Sequence, residues 1–208
     1  MIAIADLGIG NFAAISKMVN QLGADARRVT DPRHLKDASQ IILPGVGSFA
    51  YAASALEEGG WREPLTRIFE EGNRPVLCVC VGMQLLVESS AEGDGSGLGW
   101  IAGTSARLEP DPAASIKVPH MGWNEVAPTR RSPIFPAGPN RAEQERFYFV
   151  HSYQVHCTDP KDVWATTDHG CSVTAAIGRD NVMGVQFHPE KSHRFGLALL
   201  RRFLEIPC

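Results

Sequence analysis

The sequence predicts an α/β fold, with a mostly parallel central sheet flanked by helices and additional antiparallel strands in the C-terminal half. Three observations lead there. Apolar, β-prone runs in the first 86 residues alternate with helical periodicity, the pattern of strands joined by helical crossovers. Glycine and proline stand where each run must turn. After residue 145 the pattern changes to short β-like runs separated by turns, with no helical spacing between them.

Residues 2–6 form the first strand, broken by Gly8-Ile9-Gly10-Asn11. Phe12, Ile15, Val19 and Leu22 recur at spacings of three and four, so a helix follows and ends at Gly23. Gln40 to Leu43 is the next strand, stopped by Pro44-Gly45-Val46-Gly47. Ser48 is placed to cap a helix running to about Leu56. Trp61, Leu65, Ile68 and Phe69 mark another helix, with Gly72 at its C-cap. Pro75 to Leu86 reads as a buried strand, a sharp turn and a helix. In the second half, 146–150, 153–156, 163–167, 172–177 and 182–187 are the short strands, meandering beside the sheet. A last helix, 192–204, puts Leu197, Leu200 and Leu204 on one stripe. Pro128 to Gln144 is rich in Pro, Arg and Gly and reads as an exposed loop. No repeat and no long polar linker divides the chain, so residues 1–208 are expected to form a single domain.

Composition excludes several function classes. The net charge of −3 gives no reason to expect nucleic acid or an anionic membrane surface. No apolar stretch approaches the ~18 residues of a membrane span. The start of the chain, Met1-Ile2-Ala3-Ile4-Ala5-Asp6, carries no basic leader and does not read as a signal peptide. Cys78, Cys80, Cys157, Cys171 and Cys208 make an odd set with irregular spacing, so a reducing, cytoplasmic setting is expected rather than a disulfide framework. His156, Cys157, His169 and Cys171 fit no standard zinc spacing, and neighbours in a strand face opposite ways, so no metal site is expected.

The chemistry concentrates at Cys80. A thiol on a strand-to-helix turn points out of the sheet toward the strand carboxyl ends, where open α/β sheets bind ligands. The helix amino terminus offers unpaired N–H groups that favour the thiolate, the form of cysteine that attacks carbonyls. Gly82 lets the helix close against the sheet, which gives a nucleophile elbow with cysteine in place of serine. Cys78 is the rival thiol, but the position two residues after it is Cys80 rather than a glycine. Taken alone, Cys80 could equally be an inert buried cysteine. His188-Pro189-Glu190 after the 182–187 run shifts that balance, because His188 can move the proton and Glu190 can fix its tautomer. Without that company, Glu190 would read as a solvated acid. Two N–H sources are visible for a tetrahedral oxyanion: Val81, directly after the nucleophile, and the Pro44–Gly47 turn.

Longer motifs extend this reading. Pro44-Gly45-Val46-Gly47-Ser48-Phe49, Cys80-Val81-Gly82-Met83-Gln84-Leu85-Leu86 and Phe187-His188-Pro189-Glu190-Lys191-Ser192 are found together. So are Gly8-Ile9-Gly10-Asn11, Gly97-Leu98-Gly99-Trp100, Pro119-His120-Met121-Gly122-Trp123-Asn124 and Tyr148-Phe149-Val150-His151-Ser152-Tyr153. In content and order they resemble the class I glutamine amidotransferases over nearly the whole chain. Within them, the sequence is similar to the glutaminase subunits of imidazole glycerol phosphate synthases. The resemblance implies a Cys80, His188, Glu190 triad that hydrolyses L-glutamine through a cysteine thioester. It implies substrate contacts from Gln84, His151, Ser152 and Tyr153, with Gly45, Val46, Gly47 and Val81 around the oxyanion. It implies no cofactor, and it implies a (β/α)8-barrel synthase subunit as heterodimer partner, receiving ammonia and serving histidine biosynthesis. Asn11, Met121, Trp123 and Lys191 match positions near that interface. From the residues alone, Trp123 could be core, Tyr153 an ordinary strand aromatic and Lys191 a solvated charge; Gly122 and Asn124 suit an exposed loop around Trp123.

The chain departs from the family pattern at Cys78, where glycine is usual two residues before the nucleophile. Three other readings stay open: a paralogous glutaminase feeding a surface-polysaccharide amidotransferase, a cysteine peptidase on the same fold, and a catalytically dead binding module.

Overall fold

The computed structural model describes residues 1–139 and 144–208. Its first half alternates strand and helix: β1 (Ile2–Ala5), α1 (Phe12–Gln21), β2 (Ala26–Val29), β3 (Gln40–Gly45), α2 (Phe49–Glu58), α3 (Arg62–Glu71), β4 (Val76–Cys80) and α4 (Val81–Gln84). The helix signals act as their chemistry dictates. The Asn11 side chain accepts from the Ala14 N–H at 3.3 Å, and Ser48 accepts from the Tyr51 N–H at 3.3 Å. Gly72 closes α3 with a left-handed φ of +68°. The second half holds β5 (Ser89–Ser90), β6 (Gly103–Arg107), β7 (His120–Pro128), β8 (Glu145–His151), β9 (Tyr153–Cys157), β10 (Val163–Asp168), β11 (Ser172–Arg179), β12 (Val182–Val185) and α5 (His193–Leu204).

Among the described residues, nine strands form one sheet in the order β2-β1-β3-β4-β12-β11-β10-β7-β8. The pairs from β2 to β12 are parallel, and those from β12 to β8 are antiparallel. The antiparallel strands therefore extend the main sheet instead of lying beside it. A separate small sheet orders β5-β6-β9. No residue of β4 is more than 5% exposed, since helices cover both faces of a parallel sheet. That double burial explains why its sequence is continuously apolar. Among the described residues, no helix is long and apolar enough to cross a membrane.

Four expectations need correction. Residues 120–124 are not an exposed loop: they begin β7, which pairs with β8 along its length. The 128–144 segment is not exposed throughout, because Ile134 and Phe135 are fully buried. Residues 140–143 of it lie outside the described residues. On α5 the buried stripe is Gly196, Leu199, Leu200 and Phe203, with Leu197 and Leu204 only partly covered. The helix after Cys80 is a single turn, ending at Gln84 rather than Leu86.

The fold makes one tight junction at the ends of β3 and β4. Cys80 has φ +56° and ψ −111°, a left-handed conformation that a residue with a Cβ adopts only under constraint. The constraint is steric. A Cβ on Gly82 would stand 2.2 Å from the Leu43 carbonyl oxygen, and one on Gly45 would stand 2.6 Å from the Gly82 nitrogen. With both absent, α4 seats directly on β3 and forces the corner at residue 80.

Two stability outcomes follow from that junction. Gly82→Ala must push α4 off β3, and urea unfolding should show a loss of about 1–3 kcal/mol. Cys80→Gly should exceed Cys80→Ala in stability by about 1 kcal/mol, because glycine relieves the φ strain and alanine does not. A Gly82→Ala protein of native stability, or a Cys80→Ala protein more stable than Cys80→Gly, would show that the corner is unstrained.

Candidate active site

The corner projects the Cys80 sulfur from the carboxyl end of β4, between the ends of β3 and β12. The thiol remains 5% exposed at residue level and opens into a cleft of about 270 Å³. That is below the ~300–1,000 Å³ of sites for drug-sized ligands, so the cleft suits a small metabolite. Cys78 lies two residues back on the same strand, with no exposed surface, and burial pushes its thiol pKa far up. It is an inert core thiol.

His188 arrives from the turn after β12. Its N–H donates to the Tyr148 carbonyl at 2.9 Å, and its own carbonyl accepts from the Ser192 hydroxyl at 2.6 Å. Ser192 Oγ in turn accepts from the Tyr148 N–H at 3.0 Å, so β8 clamps the turn. His188 Nδ1 is 2.8 Å from Glu190 Oε1, and both side chains are only 2% exposed. Glu190 is therefore a buried orienting carboxylate, not a solvated acid. It fixes Nδ1 as the protonated nitrogen and leaves Nε2 for the Cys80 thiol. No hydrogen bond closes at Nε2 among the described residues, yet the sulfur stands near enough to act on the ring charge. Burial pushes the imidazolium pKa down, but the Cys80 and Glu190 side chains outweigh it and hold the pKa at about 9.

Around this pair the cleft is lined by Val46, Gly47, Val81, Gln84, His151, Ser152, Tyr153 and Lys191. These include every expected substrate contact except Gly45, which sits at the end of β3 in contact with Val81 and Gly82. Val81 presents the first N–H of α4. The Val46 N–H is turned away: it donates to the Ile9 carbonyl at 2.6 Å. Gly47, with φ +103°, forms the pivot of that turn.

Three lining or supporting groups escaped sequence reasoning. Glu92 reaches the cleft, where one carboxylate oxygen accepts from the Phe49 N–H at 2.7 Å at the start of α2. It belongs to no motif, and only its position near a helix start in space marks it. Val150 adds an apolar wall. Gln186, fully buried inside an otherwise apolar strand run, donates to Cys80 Sγ at 3.7 Å and accepts from Gln84 Nε2 at 3.1 Å. A buried amide in such a run was the available signal.

Of the four expected interface residues, Lys191 lines the cleft, Met121 and Trp123 lie on exposed strand, and Asn11 stands at the start of α1. Met121 is 61% exposed and Trp123 40% exposed on β7. Trp123 stacks on His193 and meets Tyr148 edge-on, while Lys191 Nζ lies 5.7 Å over the Tyr148 ring. Asn11 is exposed and caps α1. Among the described residues there is no cluster of three or more His, Cys, Asp or Glu able to hold a metal.

The fold agrees with comparisons to known proteins. The model of the class-I glutamine amidotransferase family matches residues 3–206. The chain is 44% identical over 206 residues to "Imidazole glycerol phosphate synthase subunit HisH 2" of Pseudomonas aeruginosa, covering 99% of this chain and 100% of that protein. It is 44% identical over 207 residues to "Imidazole glycerol phosphate synthase subunit HisH" of Leptospira interrogans, with 99% and 100% covered. The fold is similar to a structure titled "Crystal structure of glutamine amidotransferase" (TM-score 0.74, 19% identity, 98% and 97% covered). It is also similar to "Structure of PurLQS from Thermotoga maritima" (TM-score 0.75, 19% identity, 98% and 96% covered). The chain belongs to the class-I glutamine amidotransferase family.

Proposed function

We propose that this chain is the glutaminase subunit of an imidazole glycerol phosphate synthase. It hydrolyses L-glutamine at Cys80 and passes ammonia to a (β/α)8-barrel synthase subunit in the cytoplasm, serving histidine biosynthesis. The observation that carries the chemistry is the buried Glu190–His188 pair set beside a strained thiol at the end of β4. Full-length similarity to proteins named as that subunit carries the pathway.

The reaction follows from the site. The Cys80 thiolate attacks the carboxamide carbon of glutamine, and the oxyanion gathers at the Val81 N–H. The His188 imidazolium gives its proton to the amine as the C–N bond breaks, releasing ammonia and leaving a glutamyl thioester. Water then attacks the thioester while His188 takes its proton, and the C–S bond breaks to release glutamate and restore the Cys80 thiolate beside the His188 imidazolium. Glu92 meets the α-ammonium group of the substrate. Both N–H donors of Gln84 are engaged, to the Tyr153 carbonyl and to Gln186, which leaves its oxygen to face the substrate amide. Met121, Trp123 and Lys191 offer the exposed surface on which the barrel subunit seats, with Asn11 at its edge.

The Ile9–Val46 hydrogen bond holds a second oxyanion donor out of position. Turnover by the isolated chain is therefore slow, and a ligand-loaded partner speeds it by freeing that N–H. One such donor is worth roughly 10²–10³ in kcat.

Glutamate release measured with and without the barrel subunit and its ribotide ligand should differ by about that factor. Ammonia should be incorporated into imidazole glycerol phosphate. Full-rate hydrolysis by the lone chain contradicts the withheld donor, and ammonia released without incorporation contradicts the acceptor. Cys80→Ala should abolish hydrolysis while Cys78→Gly retains it; equal loss in both would overturn the choice of nucleophile. Nuclear magnetic resonance titration tests the ion pair separately. Cys80→Ala and Glu190→Gln should each lower the His188 pKa from about 9, because each removes a group that stabilises the imidazolium. An unmoved pKa would contradict the pairing.

A further inference from the structure

Two buried histidines outside the triad form a chain whose direction is fixed at both ends. At one end, the Asn124 amide is oriented by backbone: its oxygen accepts from the Glu125 N–H at 2.8 Å, and its nitrogen donates to the Asp168 carbonyl at 2.6 Å. That nitrogen also lies 3.2 Å from His120 Nε2, which must therefore accept. His120 then carries its proton on Nδ1, 3.0 Å from His151 Nε2. At the other end, His151 Nδ1 lies 2.8 Å from the Tyr153 carbonyl, which can only accept. So His151 carries its proton on Nδ1, and its Nε2 must accept from His120. The two ends reach the same assignment independently.

We propose that His120 is a positioning residue for glutamine hydrolysis: its Nδ1–H holds His151 in the Nδ1–H tautomer, and His151 in turn holds the cleft wall at Tyr153. This role rests on the glutaminase reading above. The relay continues to the nucleophile. The Tyr153 carbonyl also accepts from Gln84 Nε2 at 3.2 Å, Gln84 donates to Gln186, and Gln186 donates to Cys80 Sγ. Every ring nitrogen in the relay is used once, so a second proton on either histidine would set donor against donor. The surroundings oppose such a proton. Burial, His151 and His169 lower the His120 pKa to about 3. Burial lowers that of His151 to about 4, with His169 and His188 adding to it against the Tyr153 carbonyl. His120 is also clamped in plane, stacked on Phe149 at 4.4 Å and on His169 at 4.1 Å. The His169 Nε2 faces the Lys117 carbonyl at 2.9 Å, so it stands outside the relay. On the same strand Met121 points outward, so the relay begins beneath the exposed apolar strip.

Nitrogen-15 spectra of the histidine rings in the native chain provide the first test. The result expected is protonated Nδ1 and bare Nε2 in both His120 and His151 at neutral pH. An Nε2–H tautomer on His151 overturns the relay whether or not any variant folds. The second test compares His120→Phe, which keeps the stacking ring but lacks the donor, with His120→Asn, whose amide can donate from near the Nδ1 position. In the complex with the barrel subunit, His120→Phe should leave the His151 Nε2 without its donor, shift that nitrogen's signal and raise the glutamine KM roughly 3- to 10-fold, the loss of one hydrogen bond. Its kcat should fall less, and His120→Asn should recover most of the KM. Native KM and an undisturbed His151 in His120→Phe would refute the positioning role. The expected native tautomers in a complex that turns over no glutamine would instead refute the glutaminase reading alone.

Discussion

The structure depends on the steric closure at the ends of β3 and β4. Leu43, Gly45 and Gly82 approach so closely that no side chain fits between them, and the chain responds by bending sharply at Cys80. That bend aims the sulfur out of a fully buried strand into a cleft. It also starts a helix directly after Cys80, so Val81 carries the first N–H of α4. One packing constraint thus places the Cys80 thiol and the Val81 N–H, the nucleophile and oxyanion donor of the proposed reaction, next to each other in the chain. The cost is a strained residue, of order 1–3 kcal/mol, and the rest of the sheet holds it.

The other half of the site comes from the antiparallel extension. β8 clamps the turn carrying His188 and Glu190, and the chain leaves it through Ser152 into β9 of the small sheet, which begins at Tyr153. Because β8 and β7 pair along their length, the exposed Met121 and Trp123 share a framework with the base. A partner seated on that strip would act on an element two strand spacings from the catalytic turn, not on a remote surface. In the turn of Gly45 to Gly47, the Val46 N–H donates to the Ile9 carbonyl.

How far the sequence disclosed all this follows from physics. The parallel half was readable because buried strands and capped helices leave strong local marks, such as Ser48 and Gly72. β2 was not, since Ala26-Arg27-Arg28-Val29 is an edge strand with two exposed arginines and no apolar run. β7 read as loop because Gly122 and Asn124 are poor strand formers, and pairing with β8 overrides that preference. Of the candidate site, Cys80, the His188–Glu190 pair and the Pro44–Gly47 turn lie in contiguous motifs, so residue type and spacing single them out as candidates. Glu92 left no such mark and Gln186 only that of an amide in an apolar run: their partners stand 43 and 106 residues away, and no local pattern encodes that meeting. The His120–His151 contact is of the same kind, set by register across two strands.

The central claim is that Cys80, and no other thiol, carries the glutamyl group. Acid quenching of the complex during glutamine turnover, followed by proteolysis and tandem mass spectrometry of the 75–86 region, reads this directly. The account predicts a glutamyl adduct on Cys80 that vanishes as glutamine is exhausted. An adduct on Cys78, or turnover with no adduct on either cysteine when the quench outpaces deacylation, would contradict it.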